Sequence, residues 1–216
     1  MKTLTLWLSG LLLASLPLKA ETIVVPVAEE ARHIQVFDND WVQVYEVRLA
    51  PGEGTDFHIH SVDQLTLVLT ASEGVTQVLG EQAVTQSAPK GTLIYSPYST
   101  VGPFTHRVMS GQTSALHVLG IALKGDSGGA DRERMSLPDQ QQFAFPQGNA
   151  RRLTLAQGES RTLSPGLVVA LGEGQLTQAS QSRDLRSGEL WWLSEASTVT
   201  NGTESPMPLI VVTFLP

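Results

Sequence analysis

The sequence predicts an all-β protein, a sandwich or barrel of short strands whose pattern is written twice along the chain. Three observations carry this expectation. Apolar residues at helical spacing are nearly absent, and short β-branched and aromatic runs recur between clusters of Gly, Pro, Ser and Asn. The second half then repeats the order of runs and turns found in the first.

Taken from the start, the chain opens with Met1-Lys2, passes through Leu4 to Leu8 and Leu11 to Leu13, and reaches Pro17-Leu18-Lys19-Ala20 before Glu21. A positive charge, a short apolar stretch and a small residue at its end form the layout of a secretory leader. Residues 1–20 are therefore expected to be a signal peptide, and the mature chain periplasmic or secreted. The apolar stretch is shorter than the ~20 residues of a membrane-spanning helix, and Ser9, Gly10 and Ser15 interrupt it. No cysteine follows that could carry a lipid, so no membrane attachment is expected after cleavage.

The 216 residues include 14 basic and 21 acidic side chains, a formal charge of −7; loss of Lys2 and Lys19 with the leader takes it to −9. Such a surface opposes nucleic acid and anionic lipid. With no cysteine in the chain, disulfides and thiolate ligands are excluded. Any metal must be held by imidazole, carboxylate, amide or water.

The clearest strand is Trp41-Val42-Gln43-Val44-Tyr45-Glu46-Val47, where apolar and polar side chains alternate as in a half-buried strand. Leu65 to Leu69, Thr92 to Tyr95 and Leu116 to Ile121 are further apolar runs bounded by turn residues. In the repeat, Val47 to Gly54 resembles Leu153 to Ser160, and Leu67-Val68-Leu69 matches the run from Leu167 to Leu171. Lys90 to Tyr95 matches Ser187 to Trp192, and Leu119 to Leu123 matches Ile210 to Phe214. The expected organisation is an N-terminal unit over 21–124, a Gly-rich polar linker over 125–140 and a second unit over 141–216.

Chemistry concentrates in the first half. His58 and His60 flank Ile59, and residues two apart on a strand project from one face, so their imidazoles converge. The turn Pro51-Gly52-Glu53-Gly54 starts this strand, and the segment Gly91, Pro97, Gly102, His106 adds a third histidine. With these residues the sequence resembles the cupin superfamily, whose first motif is G-x5-H-x-H-x3/4-E-x6-G and whose second is G-x5-P-x-G-x2-H-x3-N. Gly52 to His58 and Gly91 to Pro97 keep the two five-residue gaps. The resemblance implies a double-stranded β-helix, the jelly-roll or cupin barrel, here duplicated as two cupin-like halves. It also implies one divalent transition metal, Fe, Mn, Ni, Zn or Cu, on His58, His60, His106 and the residue at the acidic position.

Two departures stand out. The acidic position is Gln64, beside Asp63, and Gln offers a neutral amide oxygen but no carboxylate base; either residue is open as the fourth ligand. The interval from Pro97 to His106 is longer than the motif allows, and Ser110 replaces Asn, so the loop over the metal is expected to be reshaped. The second half has no histidine: Leu163-Ser164-Pro165-Gly166 is expected in place of the His-x-His strand, with Asn201-Gly202-Thr203 near the end of the second motif. That half should pack but not bind metal, with Trp191 and Trp192 burying large areas.

Among other residues, His117 is expected as a hydrogen-bonded core or pocket residue, and His33, beside Glu29-Glu30-Ala31-Arg32, as exposed. Tyr95, Tyr98 and Phe104 are candidates for the pocket wall or the core, and Asn201-Gly202-Thr203 for a turn rather than a glycosylation site. The cupin resemblance implies a short list of activities, metal-dependent dioxygenases, isomerases, decarboxylases and lyases among them, of which a dioxygenase-type enzyme acting on a small molecule is the favoured expectation. The alternatives are a non-catalytic module for a metal or small ligand, and a metal-free sugar-binding barrel. Pairing of two copies through sheet edges is also common in such barrels.

Overall fold

The structure is a computed structural model and describes residues 22–125, 135–137, 142–179 and 181–215. The expected signal peptide lies outside the described residues, as do most of the linker positions. The first half runs β1 (Val24–Pro26), β2 (His33–Asp38), β3 (Val42–Leu49), β4 (Phe57–His60), β5 (Gln64–Val68), β6 (Ser72–Val78), β7 (Val84–Ala88), β8 (Leu93–Ser96), α1 (Tyr98–Val101), β9 (Phe104–Ser110) and β10 (Leu116–Leu123). Within the linker region Met135–Leu137 forms β11, paired antiparallel with β8. The edge of β8 offers unpaired backbone groups, and β11 satisfies them.

The second half runs β12 (Gln142–Phe145), β13 (Gly148–Leu155), β14 (Ser160–Leu163), β15 (Gly166–Ala170), β16 (Gly174–Gln178), β17 (Gln181–Leu185), β18 (Leu190–Leu193), β19 (Ser197–Asn201) and β20 (Met207–Phe214). The strand orders repeat. In the first half one sheet holds β8-β5-β10-β3-β2 and the other β4-β9-β6-β7; in the second they are β18-β15-β20-β13-β12 and β14-β19-β16-β17. Only β11 and β1 are added, one to each sheet of the first half. The all-β jelly-roll expected from the sequence is the observed fold.

The repeated order also gives β4 a counterpart in the second half. The strand standing in the place of β4 is β14 (Ser160–Leu163), which pairs with β19 as β4 pairs with β9. Ser164 and Pro165 lie in the connection after it, where proline's missing N–H costs no ladder bond.

A single apolar layer joins the halves. Val42, Val44, Leu65, Leu67, Leu93, Leu119 and Ile121 of the first half pack with Phe143, Phe145, Leu167, Val169, Ile210 and Val212 of the second. Polar ties reinforce it: Gln147 Nε2 donates to Asp63 at 3.3 Å, and Arg152 Nη2 donates to the Gly91 carbonyl at 2.6 Å. Trp191 and Trp192 are only half-buried, each packing at the margin of a core, because β18 is the edge of its sheet.

The interiors of the two barrels differ. In the second half Leu163, Val168, Leu176, Val199 and Val211 fill the space between the sheets. Val168 pairs with Val211, and the pair in the same register of the first half is Thr66 with Gly120. Gly74, paired with Ser110, takes the place of Leu176, paired with Asn201. Smaller and polar side chains thus leave the first barrel hollow, with a cavity of about 450 Å³.

Candidate metal centre

Strand alternation builds the site. On β4, His58 and His60 are 1% and 4% exposed, while Phe57 and Ile59 face the other way and are less covered. Strand β9 runs antiparallel beside β4 with His106 opposite His58 and Phe104 opposite His60. One ligand nitrogen from each of His58, His60 and His106 lies within 4.8 Å of the other two. The three histidines singled out from the sequence thus stand together in the structure.

Hydrogen bonding sets their tautomers. His58 Nδ1 stands 2.9 Å from the Asp56 carbonyl oxygen, which can only accept, so Nδ1 carries the proton and Nε2 presents a lone pair. That Nε2 is buried with no hydrogen-bond partner. An orphaned buried acceptor is costly unless something satisfies it, and a metal ion does so; a backbone carbonyl fixing the distal nitrogen is the usual support for a metal-bound imidazole. His60 Nε2 and His106 Nε2 lie 3.0 Å apart.

Burial, and then the neighbouring imidazoles His33 and His58, keep the rings of His58 and His60 neutral. The His58 pKa is pushed down to about 4 by burial first and His33 second. That of His60 falls to about 3 through burial, His58 and His33, against an opposing hydrogen bond with Gln64. Neutral imidazoles are the form that binds metal. The donor set, three imidazoles without thiolate, suits a divalent transition metal.

Gln64, at the start of β5, lines the cavity, and its Nε2 donates to Thr66 Oγ1 at 2.9 Å. A Cβ on Gly120 would come within 3.3 Å of that amide, so glycine leaves Gln64 its room. Asp63 is committed elsewhere. Its carboxylate accepts from Tyr95 Oη at 2.7 Å, from Ser99 N and Oγ at 2.9 and 2.5 Å, and from Gln147. These four donors hold its pKa below the usual carboxylate value despite burial. Asp63 is a structural clamp, and the adjacent Gln64 is the one that faces the histidines.

His33 contradicts the expectation of an exposed residue. Its side chain is 8% exposed, its Nδ1 lies 2.6 Å from Glu30 Oε2, and its ring packs edge-on against His58 with centroids 4.4 Å apart. Glu30 is buried too, and also accepts from the backbone N–H groups of Arg32 and Asp56. The cause is β1, which pairs parallel with β4 and draws the following turn and β2 over the site. No spacing in the sequence announces a parallel pair of three residues; Glu30 three positions before His33 was the only local cue.

The remaining expectations sort themselves by strand face. Tyr98 stacks on His60 (5.4 Å, 27°) and on Phe104 (5.5 Å, 4°), and Phe104 meets His106, so both aromatics line the cavity. Tyr95 does not: it is fully buried, stacked on Phe145 and bonded to Asp63. The extra residues between Pro97 and His106 form α1, which carries Tyr98. Ser110 Oγ bonds the Ala50 carbonyl at 2.5 Å and stays outside the cavity. His117 is buried with Nε2 2.9 Å from Glu46 Oε1, and it faces away from the cavity that Leu116 and Val118 line. No Asp, Glu, Lys or Arg lines this cavity among the described residues. Asn201 is buried, its amide bonded to Leu155, Ala156 and Ser205, which fits the turn reading.

No family model and no curated protein matches the chain. Solved structures do. Pirin YhhW from Escherichia coli in complex with nickel(II) superposes with a TM-score of 0.62 at 16% identity, covering 85% of this chain and 91% of that one. AerE from Microcystis aeruginosa gives 0.61 at 11% identity over 84% and 96%. Salicylate 1,2-dioxygenase from Pseudaminobacter salicylatoxidans gives 0.57 at 12% identity over 87% and 77%. At these identities the likeness establishes the fold, a cupin-type jelly-roll, in which this chain carries a three-histidine group with His58 and His60 buried and His106 half-buried.

Proposed function

We propose that this chain is an exported enzyme that holds one divalent transition-metal ion on His58, His60 and His106 and acts on a small uncharged molecule in the manner of a cupin dioxygenase. The observation that carries the reading is the buried, partnerless Nε2 of His58 beside the Nε2 atoms of His60 and His106. When bound, the ion supplies Lewis-acid and redox chemistry at its open positions.

The chain's own residues supply the rest. Asp56 fixes the His58 ring through its carbonyl. Gln64 takes the fourth position or holds a water there. Glu30 accepts the Nδ1 proton of His33, which leaves the His33 Nε2 lone pair to receive a hydrogen bond from an O–H group in the cavity. This oriented pair restores an acceptor to a site whose acidic position is the amide Gln64. Tyr98 and Phe104 form a flat wall suited to a planar ligand. The absence of charged lining residues disfavours ligands that need a cationic side chain to hold a carboxylate. A salicylate dioxygenase and its adduct with gentisate have the same fold, which supports the oxygenase class but not their anionic substrates. The N-terminal leader supports export, and the exposed edge strand β7 is where a second copy would pair.

A non-catalytic binding module is the competing reading, favoured by the amide at position 64. Metal-loaded protein screened against small phenols and thiols with an oxygen electrode separates the two. Oxygen uptake that follows metal content and is lost in His106→Ala supports the enzyme; ligand binding without uptake supports the module.

A further inference from the structure

A second cleft, of about 600 Å³, opens between the halves on the reverse of β3. Val47 of that strand faces the histidine cavity, whereas Glu46 and Arg48 on either side of it face this cleft. The opposite wall is β17, β18 and the turn between them, which bring Arg183, Arg186, Trp191 and Trp192. The turn is seated firmly. Gly188 at φ +92° lies so close to the first half that a Cβ would be 2.7 Å from Leu69 and 3.2 Å from the His117 ring. Trp192 stacks on Phe37 across the halves at 5.8 Å and 27°.

The charges in this cleft are unevenly answered. Glu46 is taken up by Arg48 at 2.8 Å and His117 at 2.9 Å, and Glu189 Oε2 accepts the backbone N–H of Arg186 at 2.9 Å. Arg183 and Arg186 have no ion-pair partner among the described residues, although the whole chain is acidic. Two guanidinium groups without partners, beside indole rings in a cleft of ligand size, match a flat ring that bears a carboxylate. The forks pair with the two oxygens, and the ring lies beside the Trp191 indole, since Trp192 on the other face of β18 is already stacked on Phe37.

We propose that this inter-half cleft is a second binding site, separate from the histidine cavity, for a planar aromatic carboxylate held by Arg183 and Arg186 beside Trp191. The two cavities then divide the chemistry: neutral ligands enter the histidine barrel, and aromatic anions the cleft behind it.

The test is titration of the full chain without residues 1–20 with benzoate, followed by tryptophan fluorescence and calorimetry. Saturable binding is expected, weakened by added salt and by about tenfold or more in the Arg183→Ala/Arg186→Ala double variant, since each lost charged hydrogen bond is worth that order. Benzamide, the neutral isostere, should bind at least about tenfold more weakly. His60→Ala and chelator treatment, which strip the histidine cavity of metal, should leave the affinity for benzoate in the cleft unchanged. Both arginines are exposed, so the double variant should fold, and an unchanged melting curve checks it. Absence of saturable binding, equal affinity for benzamide, or full affinity in the double variant would overturn the proposal. Loss of benzoate binding in His60→Ala would also overturn it, by placing the anion in the histidine cavity.

Discussion

His60 and His106 meet Nε2 to Nε2 at 3.0 Å, a distance at which one nitrogen must donate a proton and the other accept it. A metal ion held here would take a lone pair from each of these Nε2 atoms and a third from His58, and the proton they share would pass to Nδ1 of the ring that carried it. Loading at neutral pH is therefore expected to release no proton from the neutral rings of His58 and His60, to reach about one ion per chain and to raise the melting temperature by mass action.

Elemental analysis checks the stoichiometry. His58→Ala, His60→Ala and His106→Ala should each lose most of the metal, while His33→Ala should keep it, because His33 is committed to Glu30 and stands outside the three-histidine group. Two equivalents per wild-type chain, or full loss in His33→Ala, would contradict the arrangement.

The pH dependence follows from burial. An ordinary histidine site would lose metal below roughly pH 6, where free imidazole at ~6.5 begins to take protons. Here the metal-free rings of His58 and His60 titrate only at about 4 and about 3. Protons then compete late, and metal should be retained at pH 5 and released near pH 4. For the metal-free protein the sign is fixed by the unfolded chain, which binds protons at these rings from ~6.5 downward while the folded chain does not. Stability should be flat above that value and fall as pH drops toward 4 and below. Glu30, Glu46 and Asp63, whose pKa values are lowered, add to the loss below their ordinary range. Thermal melts of the chelated protein from pH 8 to 4 check it; constant stability across that range would contradict the assignment.

The first half should not stand alone. Separation would expose Val42, Val44, Leu65, Leu67, Leu119 and Ile121 to water. At ~1.5–3 kcal/mol for each such side chain, the loss rivals the ~5–15 kcal/mol that holds a whole domain together. Asp63 would also lose Gln147, and the Gly91 carbonyl would lose Arg152. A fragment of residues 21–125 should aggregate, and a soluble, monomeric, metal-binding fragment would make the second half dispensable. Gel filtration with light scattering decides it.

What could be read from the sequence follows the range of the interactions. Alternation along β4 placed His58 and His60 together because it depends only on neighbours in the chain, and the glycine and proline spacings carried His106 to them. His33 escaped because its burial depends on β1 lying parallel to β4, a contact of three residues with no periodic signature. Asp63 and Gln64 could not be told apart, since which of two adjacent side chains enters the barrel depends on strand register, and that in turn on β8 and β10. The hollow of the first barrel was legible only in retrospect, as Thr66 and Gly120 where the second half has Val168 and Val211.

Gln64 decides how the site treats a metal. Its amide Nε2 is held by Thr66 at 2.9 Å, which leaves the carbonyl oxygen as the atom available to a ligand. Gln64→Ala should weaken metal binding modestly, because water can fill the position. Gln64→Glu places a negative charge beside the ion and should tighten binding. Without metal the same carboxylate would sit in a buried cavity lined by no cation, so apo Gln64→Glu should be less stable than wild type at neutral pH and regain stability as acid neutralises it. Competition with a chelating dye, together with apo and loaded melting curves for all three proteins in one buffer, measures both effects. If neither substitution alters metal affinity, water and not Gln64 completes the site. Should Gln64→Glu weaken binding, the side chain at this position points away from the metal.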